Sequence, residues 1–452
     1  MGELNADGYG ARRRKLALTT AALVALAAAA LLRMDDALHA RAAILGVISV
    51  ALWLTELVPP FVPTLLLLVA TPLLLGGFGK EYELSSVLTW SADPVLALFL
   101  GGFALGAAAR RHGIDADVAR LIVTLSKHRR RTMVALVLGG TALMSMWMSN
   151  VAAAAMMLVA LRPLMDGPKA DHDLGAALLL SVAMGGNLGG IATPIGTGPN
   201  AIAIAAAAKY HTITFASWMA FGIPLVLGML LLVYGILLLR YRIVGAFEHE
   251  PPPPRLRRPN ARWVIAVFLL AVVGWLSESI HGVSAPLLSL GVAALLFGTG
   301  LLGKDDLASI DWSTLGLIAG GILLGKLIEH TGLFEQLSEQ VAWTQYPRVA
   351  LLSALVLSSV LLSAVMSNTG TAALLIPMAM SIVPTPSMAV IVAVATSFGM
   401  PFAMSTPPNA MAYAEGRLKA SDLLVVGVPT MIVGCVVLAL TGPAMLTLFN
   451  VP

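Results

Sequence analysis

Charge, sulfur and aromatic rings are all scarce in this sequence. Of 452 residues only 12% are Asp, Glu, Lys or Arg, about half the share of a soluble domain. That leaves too little polar surface to cover a soluble globule of this length. A soluble enzyme, a secreted disulfide module and a disordered scaffold are excluded together. The single cysteine, Cys435, rules out an intramolecular disulfide and leaves thiolate metal chemistry without partners. His112, His128 and His330 flank apolar runs and show no ligand spacing. Gly196-x-Gly198 lacks the continuation of a nucleotide loop, and no Walker-type lysine motif occurs, so ATP-driven pumping has no support. No nucleophile–base pair stands out in the apolar runs, which argues against a membrane-embedded enzyme.

What is present is apolar length. Residues of the Ala, Val, Ile, Leu, Met, Phe, Trp, Tyr and Cys class make up 58%. They fall into many runs of about twenty residues, each able to cross a hydrocarbon core. The fold class expected is an all-α polytopic membrane protein. Spans are expected near 16–32, 42–58, 62–77, 94–109, 218–239, 263–280, 284–302, 313–329 and 422–446. Two more begin near 174 and 388 and are interrupted at 193–200 and 405–409. Two further apolar regions, 133–165 and 348–383, are interrupted at Ser149-Asn150 and Ser367-Asn368 and are expected as re-entrant hairpins. Amphipathic pieces are expected near 115–126 and 333–342. The expected organisation is a cytoplasmic N-terminal segment 1–15, a first half 16–240, a cytoplasmic linker 241–262 and a second half 263–452. The linker carries Pro251–Pro254 and five arginines, and is the only clear seam.

The net charge of +4 is a topology signal rather than a nucleic-acid footprint. Most of the 28 Lys and Arg, including Arg12–Lys15 and Lys127–Arg131, fall in short loops on one side once about eleven crossings are drawn. The positive-inside bias makes that side cytoplasmic. The Lys127–Arg131 run reads as a solvated edge beside lipid headgroups. The apolar stretch after Lys15 lacks a convincing cleavage site and is expected to remain as the first span.

An internal repeat organises the chain. Gly101-Gly102-x-x-x-Gly106 returns as Gly320-Gly321-x-x-x-Gly325, an offset of 219. Ser145-x-x-x-Ser149-Asn150-Val151 returns as Ser363-x-x-x-Ser367-Asn368-Thr369, an offset of 218. Pro199-Asn200-Ala201 returns as Pro408-Asn409-Ala410, an offset of 209. An odd number of crossings separates the copies, so the halves are inverted, as in secondary transporters. Broken helices survive in a membrane only where protein or a water-filled cavity satisfies their backbone. Such breaks offer half-helix N-termini to anions and bare carbonyls to Na⁺, while Ser, Thr and Asn oxygens add neutral hard ligands. Either tripeptide alone reads equally as helix–helix glue. Two inverted copies favour a binding site. The glycine pairs read instead as close-packing positions, Lys326 and Glu329 as a local ion pair near a span end, and Asp93-Pro94 as a helix start.

At these residues the sequence resembles the divalent anion/sodium symporter family, over nearly its whole length. The resemblance rests on the two hairpin tips and on the breaks Thr193-Pro194-Ile195-Gly196-Thr197-Gly198-Pro199-Asn200 and Ser405-Thr406-Pro407-Pro408-Asn409. It implies a homodimer in the cell's inner membrane, each protomer pairing a fixed scaffold with a moving transport domain that works as an elevator. It implies one Na⁺ site at Ser145, Ser149, Asn150 and the Gly196 carbonyl, and a second at Ser363, Ser367, Asn368 and the Ser405 carbonyl. Substrate carboxylates would lie between the tips, at Asn150, Val151, Asn368, Thr369, Thr197, Thr406 and Pro407. The implied activity is Na⁺-coupled uptake of a small dianion, foremost a C4-dicarboxylate such as succinate. A sodium-independent dicarboxylate exchanger, a sulfate carrier and, more distantly, an anion channel are the alternatives. One departure stands out: Val151 replaces the family's threonine and removes one hydroxyl from the first tip.

Overall fold

A computed structural model describes residues 36–55, 57–127, 129–165, 172–245, 260–333 and 345–448. The expected first span with its N-terminal segment, most of the 241–262 linker and most of the 333–342 piece lie outside the described residues. The structure is 80% helix, with no strands among the described residues. Low charge and dense Leu, Ala and Val leave the backbone few partners but its own, and helices satisfy it internally.

The first half runs α1 (Ala37–Thr55), α2 (Val62–Leu75), α3 (Leu84–Ser91), α4 (Pro94–Arg111), α5 (Ile114–Leu125), α6 (Arg130–Ser145), α7 (Asn150–Met165), α8 (His172–Gly189), α9 (Gly198–Ala207) and α10 (Phe215–Arg240). The second half runs α11 (Ala261–Leu276), α12 (Glu278–His281), α13 (Ala285–Gly298), α14 (Lys304–Ala308), α15 (Trp312–Thr331), α16 (Arg348–Val365), α17 (Asn368–Ile382), α18 (Pro386–Ser397), α19 (Pro407–Ala414) and α20 (Ala420–Leu448). Six of these helices are long and apolar enough to cross a membrane, and eight shorter ones are also apolar. Asp93 starts α4 as expected: its side chain accepts from the Val95 N–H at 2.9 Å, and Pro94 needs no donor there.

Burial separates inner from outer helices. Leu174–Ala192 are all buried, whereas only about a third of the most apolar stretch of α10 and of α20 is. Leu231, Leu239 and Leu440 are more than 70% exposed on those two helices. Large bare apolar side chains suit a lipid-facing position and not an aqueous one.

The repeat is visible in the packing. Each hairpin lays both arms on the first half of its own broken helix: α6 and α7 on α8, α16 and α17 on α18. The second halves cross over. Helix α9 packs on α18 and α17, and α19 packs on α8 and α7. The glycine pairs are close-packing positions, as the sequence suggests. A Cβ on Gly101 would lie 2.6 Å from Ser289, and one on Gly321 2.8 Å from the Ala373 Cβ. The second break is longer than its polar residues indicate. Helix α18 already ends at Ser397, and Phe398–Thr406 are irregular.

Several arginines near helix ends are held by polar partners. Arg111 pairs with Asp306, Arg131 Nε donates to the Ile243 carbonyl at 3.2 Å, and Arg240 lies 3.7 Å from Asp422.

Candidate functional site

The two hairpin tips and the two helix breaks converge in the interior. Tip 1 is the turn between α6 and α7. Ser149 precedes α7 and its Oγ accepts from the Ala152 N–H at 3.3 Å. Ser145 Oγ lies 2.7 Å from Asn150 Oδ1 and 2.6 Å from the Gly186 carbonyl oxygen. Tip 2 repeats this. Ser367 caps α17 by accepting from the Gly370 N–H at 3.0 Å. Ser363 Oγ lies 2.6 Å from Asn368 Oδ1 and 2.5 Å from the Thr396 carbonyl oxygen. Ser145 and Ser363 are fully buried. Each hydroxyl has one proton and two oxygen neighbours, so each cluster holds more lone pairs than its proton can satisfy.

The breaks are tied by their asparagines. Asn200 Nδ2 donates to the Gly190 and Thr193 carbonyls at 2.9 and 2.8 Å. Asn409 Nδ2 does the same to Met400 and Phe402, at 3.0 and 2.9 Å. One amide thus clamps the carbonyls freed on the far side of each break, which is why Pro-Asn recurs where the helix restarts. A hydroxyl then ties each break to its own tip: Thr193 Oγ1 donates to the Met146 carbonyl and Ser405 Oγ to the Ala364 carbonyl, at 2.5 and 2.7 Å.

All the residues expected from the sequence fall in this region. Gly196 and Asn150 meet over Gly190: a Cβ there would lie 2.6 Å from Asn150 Oδ1 and 3.0 Å from the Gly196 carbonyl oxygen. Only a residue without a side chain leaves that approach open. Thr369 of tip 2 faces break 1, its Oγ1 2.5 Å from where a Gly198 Cβ would stand. Tip 1 faces break 2: a Cβ on Gly186 would lie 3.4 Å from Pro408 and 3.6 Å from the Asn150 carbonyl oxygen. Thr197 and Thr406 precede α9 and α19. Thr406 accepts from the Asn409 N–H at 3.4 Å, whereas Thr197 makes no side-chain capping bond and accepts the Asn200 N–H on its carbonyl at 3.2 Å; Pro199 has no N–H to offer. Pro407 and Val151 are exposed, Val151 at 43%. Ser405 acts through its hydroxyl in this structure, bonded to Ala364 and accepting from the Phe402 N–H at 3.0 Å.

Sequence reasoning did not find Gly186 and Thr396, which contribute carbonyls and carry no motif of their own. Nor did it find Asn187, whose Nδ2 donates to Asn409 Oδ1 at 2.8 Å across the two halves. Their shared register was the available signal, since Gly186 and Thr396 differ by 210, within one residue of the Pro-Asn offset. Lys326 and Glu329 do form the expected pair, at 3.1 Å, and Lys209 joins them at 2.6 Å from the same carboxylate.

The family model described as citrate transporter matches residues 50–399 and again 272–450. An uncharacterised transporter of Haemophilus influenzae is 30% identical over 428 residues, covering 88% of this chain and 90% of its own. The sodium-dependent dicarboxylate transporter SdcS of Staphylococcus saprophyticus is 28% identical, covering 86% and 82%. Among solved structures, the Alcanivorax borkumensis YdaH transporter aligns over 85% of this chain and 98% of its own, with a TM-score of 0.58 and 15% identity, a likeness of fold alone. With an all-helical bundle of apolar helices and a family match over most of its length, this chain belongs to the citrate transporter family of secondary carriers, related to the divalent anion/sodium symporters.

Proposed function

We propose that this protein couples inward movement of Na⁺ to uptake of a small dianion, a C4-dicarboxylate such as succinate. One observation carries the reading. Each tip serine has two oxygen neighbours within 2.7 Å and a single proton to share. A cation seated among the three oxygens removes the surplus of lone pairs, and two inverted clusters supply two such seats. Turning either amide over would close the proton count without a cation, and uptake would then not need Na⁺.

Na⁺ here is cargo. Cluster 1 would take it with Ser145, Ser149, Asn150 and the Gly196 carbonyl, and cluster 2 with Ser363, Ser367, Asn368 and the Ser405 carbonyl. The dianion then has two attractions and needs no arginine: the adjacent cations and the N-termini of α7, α9 and α17. Thr369, Asn368 and Thr197 would meet it from one side, with Asn150, Val151, Thr406 and Pro407 on the other. The dicarboxylate assignment is supported by the name of the Staphylococcus relative. In this reading the protein is an inner-membrane homodimer with a cytoplasmic N-terminus, and the hairpins with their broken helices move as one body against the remaining helices.

The test is uptake of radiolabelled succinate into proteoliposomes with an inward Na⁺ gradient, against an equimolar K⁺ control. Uptake that requires Na⁺ and accumulates uphill is the expected result. Equal movement in both media, seen only when the liposomes are preloaded with succinate, would replace symport with exchange. Non-saturating flux would make the protein a channel.

A further inference from the structure

A cavity of about 520 Å³ opens where α9, α15 and α17 end, beside Asp93 at the start of α4 and so at the end of that helix opposite Arg111. Its wall carries Lys209, Lys326, Glu329, Asp93 and the exposed Ser381, and its floor includes Ile202. Glu329 is held from both sides: Oε1 lies 2.6 Å from Lys209 Nζ and Oε2 3.1 Å from Lys326 Nζ. Asp93 is committed elsewhere, capping α4 through Val95. The cavity points at the site already described. Ile202 stands one turn beyond Gly198, and a Gly321 Cβ would lie 3.0 Å from Ile202 Cδ1, so that contact closes the floor.

We infer that this cavity is a second, peripheral anion subsite, in which Glu329 fills with its own carboxylate the two-ammonium clamp that a substrate carboxylate takes on its way to the tips. This rests on the anion-carrier reading above. Two ammonium groups gripping one carboxylate oxygen each is the arrangement a free carboxylate would need, and here the carboxylate is tethered. With all three side chains more than a third exposed, the clamp is solvated and exchangeable rather than a buried structural pair. Four charges of which two are negative leave the cavity balanced, so an arriving dianion competes with Glu329 and does not meet an unguarded positive trap. The volume far exceeds that of one small dicarboxylate, which leaves room for water and for passage.

The experiment uses S381C in a C435S background, so that one thiol reports on the cavity. The rates of modification by an anionic and a cationic methanethiosulfonate are compared. E329Q is expected to raise the anionic-to-cationic rate ratio by about threefold or more, and K209Q and K326Q to lower it, by the Coulomb interaction of one charge at a few ångströms in water. In parallel, the K209Q/K326Q pair should raise the KM for succinate uptake, while E329Q lowers it, with Vmax kept in both. A rate ratio unmoved by all three substitutions overturns the subsite, as does a matched fall in Vmax with KM unchanged. Failure of the wild-type protein to carry dicarboxylates would sink the preceding reading alone, because the reagent ratio needs no transport.

Discussion

The two copies of the tip-and-break motif agree where cations would sit and differ where an anion would. Ser145 and Ser363 reproduce the same pair of oxygen contacts to within 0.1 Å, although of the three residues between each of them and Ser149 or Ser367 only Met148 and Met366 match. Asn200 and Asn409 clamp equivalent carbonyls. Then the copies part. Tip 1 ends in Val151 and tip 2 in Thr369. Break 1 is tied to its tip from its start, through Thr193, and break 2 from its end, through Ser405. Helix α9 begins without a side-chain cap and α19 begins with one. A spherical ion can demand the same cage twice. A substrate lying across the pseudo-symmetry axis touches each half with a different atom, and nothing holds those positions equal.

The comparison breaks most completely if one cluster proves dispensable. Asn150→Ala and Asn368→Ala each remove one oxygen from a three-oxygen seat and leave a buried serine facing a methyl group. Both should abolish Na⁺-driven succinate uptake, a loss of more than about 100-fold, which corresponds to about 3 kcal/mol. Folding should survive, because each asparagine lies at a partly exposed helix start. Uptake is read in proteoliposomes, and monodispersity by size exclusion. Wild-type uptake by either variant would remove that copy from the site.

The next effect concerns the breaks and is one of stability. Asn409 is fully bonded: two carbonyls on Nδ2 and Asn187 on Oδ1. Asn200 has the two carbonyls, but its buried Oδ1 meets no protein donor among the described residues. In the register of the repeat, Ser397 stands where the first half has Asn187, and a serine is too short to reach. Asn409→Ala should therefore destabilise the solubilised protein more than Asn200→Ala, by about 0.6–1.5 kcal/mol, the worth of the extra bond. Thermal unfolding in detergent measures it. Equal melting temperatures would mean that Asn187 contributes nothing across the two halves.

Much of this was legible before any coordinates. Ser-Asn and Pro-Asn at fixed offsets marked both tips and both breaks, because a broken helix in hydrocarbon must carry its own polar repair. Helix ends were legible within a few residues where Pro, Gly or Arg marked them, as at Pro94 and Arg240. What stayed hidden has little polar signature. Phe398-Gly399-Met400-Pro401 unwinds at its Gly and Pro without a polar side chain, so the second break begins seven residues earlier than the polar residues suggest. The Gly186 and Thr396 carbonyls belong to backbone inside apolar helices. Lys209 reaches Glu329 over 120 positions, a pairing that no local pattern encodes. The crossing of Gly198 with Thr369 is likewise a property of how the halves interleave.

The smallest expected effect is also the sharpest test of the asymmetry. Val151→Thr restores at tip 1 the hydroxyl that tip 2 has in Thr369, and Val and Thr share a shape, so packing at this exposed position is hardly disturbed. If an anion's carboxylate rests against tip 1, the new O–H adds a bond to a charged group, worth about 1.5 kcal/mol at this exposure, or about tenfold in KM for succinate. The reverse change, Thr369→Val, removes the hydroxyl that lies against Gly198 at the start of α9 and should raise KM by a similar factor. Na⁺ dependence should stay constant in both, because the serine and asparagine oxygens are untouched. If Val151→Thr leaves KM for succinate unchanged while Thr369→Val raises it, the substrate is held by tip 2 alone. A monocarboxylate or an inorganic anion would then displace succinate as the preferred cargo, and competition among these anions in the Val151→Thr protein decides between them.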